Sequence, residues 1–418
     1  MFKNYIKIAV KVLLRHKLFT FISLFGISFT LLILIIVTSL ADHTFGKMKP
    51  ETRLDRTLSA TFFKITHTEN HHVSAGPIMS YYFFNRYAKS LETPELVSIS
   101  SFHKRVETYK DNKKFKFSIK YSDAEFWKIL DFNFLEGKPF NNNDVQNINQ
   151  VAVITEDTKE KYFGDEDCIG ENIHIGNKNF RIIGIVENVS ALRSLPFSDI
   201  WVPITNNEED IFEPRNEAVG FPSYFALVLA KDKSDFPMIK SEFQKKLDGV
   251  EFFDDSRNKI TGGVETYSET LSRVFLSKGD AVNSSGLMIL YGVLILMFML
   301  LPTINLVNIN VSRIMERSSE IGIRKAFGAS SFTLIGQFIV ENIIITLIGG
   351  FLALLFAAFV LAIINNANMI KHVHLLINWR IFYKSILFAL FFGLLSGVYP
   401  AFKMSRLQPV EALRGGQS

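Results

Sequence analysis

The chain of 418 residues has almost no cysteine, and several sequence patterns that carry chemistry are missing from it. Cys168 is the only cysteine, which excludes an intrachain disulfide, a thiolate zinc cluster and a Cys–Cys redox pair. We expect this thiol to be buried and inert. The pattern G-x-x-x-x-G-K-[ST] is also absent, so these residues contain no P-loop nucleotide site. Without H-E-x-x-H or G-x-S-x-G, a hydrolase is disfavoured.

Basic residues are distributed unevenly along the chain. Lys and Arg number 46 against 41 Asp and Glu, a net charge of +5. Segment 41–284 holds 31 basic and 37 acidic residues, so it carries −6 and the remainder carries +11. The basic excess lies beside long apolar segments, where anionic lipid headgroups attract it, and no RNP-type or zinc-finger pattern is present. We therefore predict contact with membrane lipid and no nucleic-acid binding.

Long apolar runs with few charges occur four times. Leu18–Leu40 has 23 residues without a charge, enough to cross a hydrocarbon core of about 30 Å and too long for the apolar core of a signal peptide. Leu287–Ile304 and Ser385–Ala401 are also uncharged, and Phe338–Ile364 is interrupted only by Glu341. These runs predict four transmembrane helices.

Orientation follows from the basic residues nearest to these runs. They precede the first run, lie between the second and third, and follow the fourth, whereas the turn between the third and fourth has Lys371 alone. Basic residues favour the cytoplasmic side, so segment 41–284 should be extracytoplasmic. Residues 1–17 place apolar positions at helical spacing with lysines between them, which is typical of an interfacial amphipathic helix.

The predicted fold class is an α-helical membrane protein with four transmembrane helices and a large mixed α/β extracytoplasmic domain inserted between helices 1 and 2. The predicted order along the chain is a cytosolic amphipathic helix (1–17), transmembrane helix 1 (18–40), the extracytoplasmic domain (41–284), transmembrane helix 2 (285–311), a cytosolic segment (312–332), transmembrane helix 3 (333–364), a short extracytoplasmic turn (365–378), transmembrane helix 4 (379–402) and a cytosolic tail (403–418).

Strands are predicted within segment 41–284 by two patterns. Residues 114–121 alternate polar and apolar side chains, as a half-buried strand does. Residues 150–155, 180–186 and 224–230 are short runs rich in β-forming residues.

Helices are predicted between these strands. Ser122 with Glu125 forms a capping-box pattern that would open a helix through Leu130. A second helix is expected over 156–163, ended by Gly164, and a third over 237–247, with proline in its first turn.

The only cluster with metal-ligand residue types is His67, Glu69, His71 and His72. Histidines spaced i,i+4 share one face of a helix and can bind a metal together. This stretch is more typical of a strand that runs into a polar loop, so we interpret these residues as solvated loop histidines and predict no metal site.

The polar segment 316–330, ERSSEIGIRKAFGAS, lies between the second and third apolar runs. Glu320 and Arg324 are spaced i,i+4 with the acid first, which favours a helical ion pair, and Gly328 offers a C-terminal stop. Taken alone, this segment also fits an ordinary cytosolic loop that obeys the positive-inside rule.

Three stretches resemble one known family. E-I-G-I-R-K-A-F-G-A-S resembles the hallmark of the MacB and FtsX type of ABC-transporter permease, in which a short cytosolic helix docks on an ATP-binding subunit. AEFWKILDFNFLEGKPF together with Val151–Pro203, which contains VAVITEDTKEKYFG, FRIIGIVENV and DIWVP, is similar to the MacB-type periplasmic core domain. The ending P-V-E-A-L-R at 409–414 is similar to the family's C-terminal signature.

The resemblance implies roles for particular residues. Gln337 and Glu341 match positions where the family commonly has Gln and Glu, and we expect them to serve packing or coupling rather than proton or substrate binding. No catalytic, cofactor-binding or metal-binding residue is expected in this chain. The residues expected to contact the ATPase are Arg317, Glu320, Ile321, Ile323, Arg324 and Lys325.

The resemblance also implies a function. The chain would be a permease of the bacterial inner membrane, working as a homodimer or with a related permease. ATP and Mg²⁺ would bind a separate ABC ATP-binding subunit, whose motion would drive efflux of peptides or macrolide-like compounds with a periplasmic adaptor and an outer-membrane factor. Three alternatives stay open at this stage: release of lipoproteins, control of cell-wall hydrolases in division, and a non-transporting membrane-tethered sensor.

Overall fold

The computed structural model describes residues 17–67, 73–76, 79–207, 224–250, 257–276, 330–367 and 371–380 continuously. Elsewhere it describes short pieces and single residues, namely 7, 11, 13–15, 286, 289, 290, 292–297, 300, 304, 323, 327, 382–387, 390, 391 and 394. The predicted tail 403–418 and most of the predicted helix 1–17 lie outside the described residues.

The chain divides into two compact units. The sheet unit comprises Thr44–Met288 together with Ile370–Val373. The helix unit comprises Met1–His43, Ile289–Met369 and His374–Ser418.

Eight helices have described bounds, and they are α1 (Lys17–Phe45), α2 (Tyr81–Tyr87), α3 (Glu125–Ile129), α4 (Asn142–Gln146), α5 (Glu156–Phe163), α6 (Phe236–Asp248), α7 (Tyr267–Leu276) and α8 (Ser331–Asn366). Short 3₁₀ turns occupy Leu54–Arg56, Ile204–Asn206 and Lys233–Asp235.

Two of these helices are long and apolar enough to cross a membrane. The 29 residues of α1 extend about 44 Å at 1.5 Å per residue, and the apolar part of α8 is Ile339–Asn366. They correspond to the predicted spans 18–40 and 333–364. The other predicted spans, 285–311 and 379–402, contain mostly scattered described residues, so the count of four helices stays a prediction.

Within the helix unit, α1 and α8 pack through aliphatic side chains. At Gly349 of α8, an added Cβ would lie 2.8 Å from Cγ2 of Ile27, so the absence of a side chain allows close helix approach. Ser39 Oγ donates a hydrogen bond of 2.6 Å to the carbonyl of Leu376. The apolar contact set includes Ile27, Leu31, Ile35, Ile345, Ala353, Ala357 and Phe382.

The sheet unit is built from thirteen strands in its described part, and they are β1 (Thr57–Ala60), β2 (Phe63–His67), β3 (Val73–Gly76), β4 (Leu96–Ser101), β5 (Lys104–Lys110), β6 (Lys113–Ser122), β7 (Phe134–Gly137), β8 (Val151–Thr155), β9 (Asn172–Ile175), β10 (Lys178–Val186), β11 (Ile200–Pro203), β12 (Tyr224–Leu229) and β13 (Arg257–Gly262).

Ten of these strands form one mixed sheet. Its order is β1-β12-β4-β6-β11-β8-β10-β7, with β5 paired to β6 and β9 paired to β10. β8 runs parallel to β10, and β11 runs parallel to β6, while the other pairs are antiparallel. A smaller sheet has the order β13-β2-β3.

Apolar residues cover both faces of the large sheet at its centre. Along β12, alternate side chains enter different core clusters: Tyr224, Ala226 and Val228 join one, and Phe225, Leu227 and Leu229 join the other. A strand buried on both faces needs a continuous apolar run rather than alternation, which explains YFALVL in β12 and the wholly buried VAVIT of β8.

The strand predictions are confirmed. The alternating run falls in β6, where Phe115, Phe117 and Ile119 pack against one core and Lys114 and Lys116 on either side of Phe115 are exposed. The turn that joins β5 to β6 places Asp111 and Asn112 at φ of 50° and 59°, the left-handed geometry of tight hairpins. The predicted strands at 150–155, 180–186 and 224–230 correspond to β8, β10 and β12.

Two helix predictions are confirmed and one capping prediction is wrong. α5 begins after Thr155, which caps it, and ends at Gly164 with φ of 67°, while α6 has proline in its first turn. α3 begins after Ala124, which makes no side-chain cap bond, and Oδ1 of the preceding Asp123 accepts the Phe126 amide at 3.1 Å. Ser122 lies at the end of β6, and its Oγ has no hydrogen-bond partner among the described residues, so it does not cap the helix.

A pair of glycines lets β7 and β10 approach closely. Gly137 and Gly184 stand opposite each other in the ladder. A Cβ on Gly137, which has φ of 71°, would lie 2.2 Å from the carbonyl oxygen of Ile183. This position therefore needs glycine for its backbone angle and for space.

Gly137→Ala should be more damaging than an alanine at another positive-φ glycine. Gly176 has φ of 61° and open space around it, so Gly176→Ala should lower the free energy of unfolding only by the backbone strain of about 1–2 kcal/mol. Gly137→Ala adds a clash with the main chain and should cost about 1–3 kcal/mol more. Thermal unfolding of the detergent-solubilised chain measures the difference, and equal losses would contradict the close approach.

Candidate functional site

Three charged side chains lie buried together in the sheet unit, and we call Glu51, Lys120 and Arg193 the buried ionic cluster. Arg193 Nη1 donates to Glu51 Oε2 at 2.5 Å, and Arg193 Nη2 donates to the Gly46 carbonyl at 2.5 Å. Lys120 Nζ donates to the carbonyls of Leu195 and Ser194. The cluster joins the start of the unit to β6 and to the loop before β11.

Burial dominates the electrostatics of this cluster. It raises the pKa of Glu51, an effect that the Arg193 guanidinium opposes. Burial also lowers the pKa of Lys120 to about 7, with Glu51 acting in the opposite direction. Tyr267 lies near Glu51, and burial together with that carboxylate raises the pKa of Tyr267 to about 12.

A narrow cleft adjoins the cluster. Glu51 and Tyr267 contribute polar atoms to its wall, while Leu58, Ile129 and Leu227 make much of the wall apolar. Among the described residues that line it, no nucleophile is paired with a base and no set of metal ligands converges. We therefore interpret this region as structural.

A second group of charges forms where the turn after α8 meets two aspartates. We call Asp157, Asp199, Lys371 and His372 the turn cluster. Lys371 Nζ lies 2.6 Å from Asp199 Oδ1, and Asp199 is 1% exposed. His372 Nε2 lies 3.6 Å from Asp157 Oδ2. Burial lowers the pKa of His372, which Asp157 opposes.

Three members of the turn cluster have ligand atoms close enough for a metal ion. Atoms of Asp157, Asp199 and His372 all lie within 4.8 Å of one another. The Lys371 ammonium, however, already contacts Asp199 and supplies the positive charge that a cation would bring. The arrangement is therefore that of an ion-pair cluster.

The predicted ATPase-contact segment is described only in small part. Ile323 is helical and 48% exposed, and its carbonyl accepts the Phe327 amide at 3.0 Å. Phe327 is 88% exposed, and our sequence reasoning missed it although an aromatic in a polar segment is a visible signal. The remaining predicted contacts, which lie outside the described residues, are Arg317, Glu320, Ile321, Arg324 and Lys325.

The predicted pair on the third span lies inside the helix unit. Gln337 Nε2 donates to Glu341 Oε1 at 2.8 Å, and Glu341 is 1% exposed. Asn342 and Thr346 are buried on the same helix and were not predicted. Polar side chains on a membrane-spanning helix are costly when they face lipid, so they face the protein interior.

Comparisons with protein families cover most of the chain. Residues 20–246 match the MacB-like periplasmic core domain, and residues 292–409 match the FtsX-like permease C-terminal domain. The chain therefore belongs to the family of ABC transporter permeases with these two domains, and the expected membership is confirmed.

Individual relatives are distant. The chain is 27% identical over 282 residues to the uncharacterized ABC transporter permease YknZ of Bacillus subtilis (strain 168), which covers 66% of this chain and 65% of that protein. It is 26% identical to the macrolide export ATP-binding/permease protein MacB 2 of Aeromonas hydrophila, over 72% of this chain and 44% of that protein. Both matches thus span less than two thirds of the relative's length.

Among solved structures, the periplasmic region of MacB from Actinobacillus actinomycetemcomitans matches 54% of this chain and 94% of its own length. The sequence identity is 17% and the TM-score is 0.35.

Removing one member of the buried ion pair should destabilise the sheet unit strongly. Arg193→Met leaves the Glu51 carboxylate buried without its main partner, so the free energy of unfolding should fall by about 3–5 kcal/mol. Adding Glu51→Leu removes that stranded charge and should recover much of the loss. Unfolding of both variants provides the measurement, and a double variant no more stable than Arg193→Met would contradict the pairing.

Lys120 should make stability rise with pH above neutrality. The folded-state pKa of about 7 lies below the ordinary 10.5, so between these values the unfolded chain holds a proton that the folded chain has lost. The stability of the wild type relative to Lys120→Met should therefore rise by about 1.4 kcal/mol per pH unit from pH 7.5 to 9.5 and stay flat below pH 6.

The control for this experiment is Lys116→Met, which removes an exposed lysine of the same strand. Its stability difference from the wild type should not change over that pH range. A flat profile for Lys120→Met as well would show that Lys120 keeps its proton in the folded chain.

Proposed function

We propose that the chain is the non-catalytic permease subunit of an ABC transporter in the bacterial inner membrane. It would couple ATP hydrolysis by a separate ATP-binding subunit to a conformational change of the sheet unit on the periplasmic side. Two copies, or one copy with a related permease, would form the dimer. ATP and Mg²⁺ would bind the partner, since no G-x-x-x-x-G-K-[ST] occurs in these 418 residues.

The observation that carries this proposal is the order of the two family matches. A MacB-like periplasmic core domain over 20–246 precedes an FtsX-like permease domain over 292–409. The segment 312–332 lies in the second match, between two apolar runs, and carries the family's coupling motif. A chain with an external domain and a cytosolic coupling segment is suited to passing motion across the membrane.

The described part of the coupling segment supports a docking role. Ile323 and Phe327 are one helical turn apart, and both are exposed. Exposed apolar side chains flanked by charges are typical of protein contact surfaces. The contact surface that we propose for the ATP-binding subunit therefore combines these two residues with Arg317, Glu320, Ile321, Arg324 and Lys325.

Helix α8 supplies a stiff route away from that surface. It begins at Ser331 and continues for 36 residues, about 54 Å. The side chain of the preceding Ser330 caps it. Gln337 and Glu341 are hydrogen-bonded to each other in its first turns and are buried in the helix unit, so rotation of α8 about its axis would bring these polar groups towards lipid at a cost. We assign the pair a coupling role on these grounds.

Efflux is the proposed use of this motion. The Aeromonas hydrophila relative is named as a macrolide export protein, and the sheet unit matches the MacB-like periplasmic core domain. The proposed substrates are peptides, macrolide-like compounds or other molecules taken from the periplasm, with an adaptor and an outer-membrane factor as partners.

Exchanging the charges of Glu320 and Arg324 tests the coupling surface. Glu320→Arg with Arg324→Glu keeps an i,i+4 pair but reverses the charge that each position presents. An ABC ATP-binding subunit should co-purify with the wild type in mild detergent at a ratio of about one to one, identified by mass spectrometry. The exchanged variant should lose coupled ATPase activity by about tenfold or more.

The matched control exchanges Glu107 and Lys114, an exposed ion pair of 2.6 Å on the sheet unit. This variant should keep wild-type activity, because exposed pairs contribute little. Full activity in the Glu320/Arg324 variant would contradict the coupling surface. Recovery of the wild type without any ATP-binding subunit, where a control permease keeps its own, would contradict the proposed function.

A further inference from the structure

The turn after α8 enters the sheet unit for only a few residues. The chain belongs to the helix unit up to Met369, to the sheet unit over Ile370–Val373, and to the helix unit again from His374. The stretch 371–373 is therefore a third covalent entry of the chain into the sheet unit, besides those at Thr44 and Met288.

The Lys371 side chain binds Asp199 at the centre of the large sheet. Its ammonium lies 2.6 Å from Asp199 Oδ1, and Asp199 Oδ2 accepts the Ser118 amide at 2.8 Å. The main chain of Asp199 also donates to the Ser118 carbonyl and accepts from the Thr155 amide, each at 3.0 Å. Asp199 thus directly precedes β11, bonded to β6 on one side and to β8 on the other.

The neighbouring atoms hold the same stretch in place. The Lys371 carbonyl accepts the Ala191 amide at 3.0 Å, and the Val373 side chain is buried. His372 has φ of 56°, a left-handed conformation that turns the chain, and its imidazole faces Asp157. Lys371 is therefore held by polar contacts and Val373 by burial, and His372 turns the chain between them.

We call the Lys371–Asp199 ion pair the anchor, and its strength depends on the burial of Asp199. Asp199 is almost completely buried, so separating Lys371 from it would leave a carboxylate without its positive partner in an apolar sheet. An exposed pair such as Glu107–Lys114 carries no such penalty, because water replaces the lost partner. The anchor should consequently move with the sheet unit rather than detach from it.

We propose that Lys371, through its ion pair with Asp199, is a positioning residue that transmits the motion of α8 to the sheet unit. α8 begins directly beside the coupling segment and ends at Asn366, five residues before Lys371. Displacement of the helix would pull on β11 at the middle of the sheet. This inference rests on the proposed function, which supplies the motion but assigns no role to this turn.

The test uses the full chain with its co-purified ATP-binding subunit and compares Lys371→Met, Lys371→Arg and the pair Lys371→Met/Asp199→Asn. The double variant guards against misfolding, because Asn keeps an acceptor for the Ser118 amide and no charge is stranded. Hydrogen exchange is measured with and without ATP, Mg²⁺ and vanadate. The control is Lys114→Met, which removes an exposed lysine.

Without nucleotide, the Ala191 amide should exchange about tenfold faster in Lys371→Met and in the double variant, since its acceptor is released. With nucleotide and vanadate, the wild type and Lys114→Met should show altered exchange in the sheet unit. The double variant should lose this response while hydrolysing ATP within about twofold of the wild-type rate, and Lys371→Arg should restore it, because the guanidinium keeps the charge.

Two results would count against the inference in different ways. A wild-type nucleotide response in the double variant would overturn the role of Lys371 and leave the proposed function standing. A wild type without any nucleotide response in the sheet unit would overturn the proposed function and the role of Lys371 with it.

Discussion

A charge that leaves water must meet an opposite charge or several hydrogen-bonding groups, and the sheet unit is arranged around this requirement. Its large sheet is covered by apolar residues on both faces, yet Glu51, Lys120, Arg193 and Asp199 all lie buried. Each has a partner from a distant part of the chain, as Arg193 and Glu51 are 142 residues apart. Charge pairing therefore joins the segments that enter the unit to residues near its central strands. Apolar packing alone would not select these particular partners so specifically.

Much of the fold was predictable because it follows from local patterns. The alternation in 114–121 and the apolar runs of β8, β10 and β12 each reflect which faces of a strand are covered, and that information lies within a few neighbouring residues. Gly164 ended α5 as expected, since a positive φ favours glycine. The cap of α3 was mispredicted because the Asp123 carboxylate accepts the Phe126 amide, and Ser98 and Ile99 of β4 hold that carboxylate in place through contacts that the local sequence does not show.

The sites divide in the same way. Membership of the permease family was predictable from motifs, and the comparisons confirm it. The partnership of Lys371 with Asp199 was not, because 172 residues separate them and a lysine in a short turn is ordinary in sequence. Asn342 and Thr346 were missed for a related reason: polar residues of an apolar helix show their burial only when the neighbouring helix is present. The roles of all the coupling residues stay predictions from resemblance, and Ile323 is the one among the ATPase contacts that lies in the described part of the chain.

The only cysteine has a practical consequence. Cys168 is buried in the core around β8 and β10, and burial raises the pKa of its thiol, so little thiolate is exposed to a reagent. A maleimide fluorophore or nitroxide would react with a cysteine introduced on the surface and leave this one untouched. The natural chain is thus already a near-silent background for spectroscopic labelling at one site or two, without substitutions in its core.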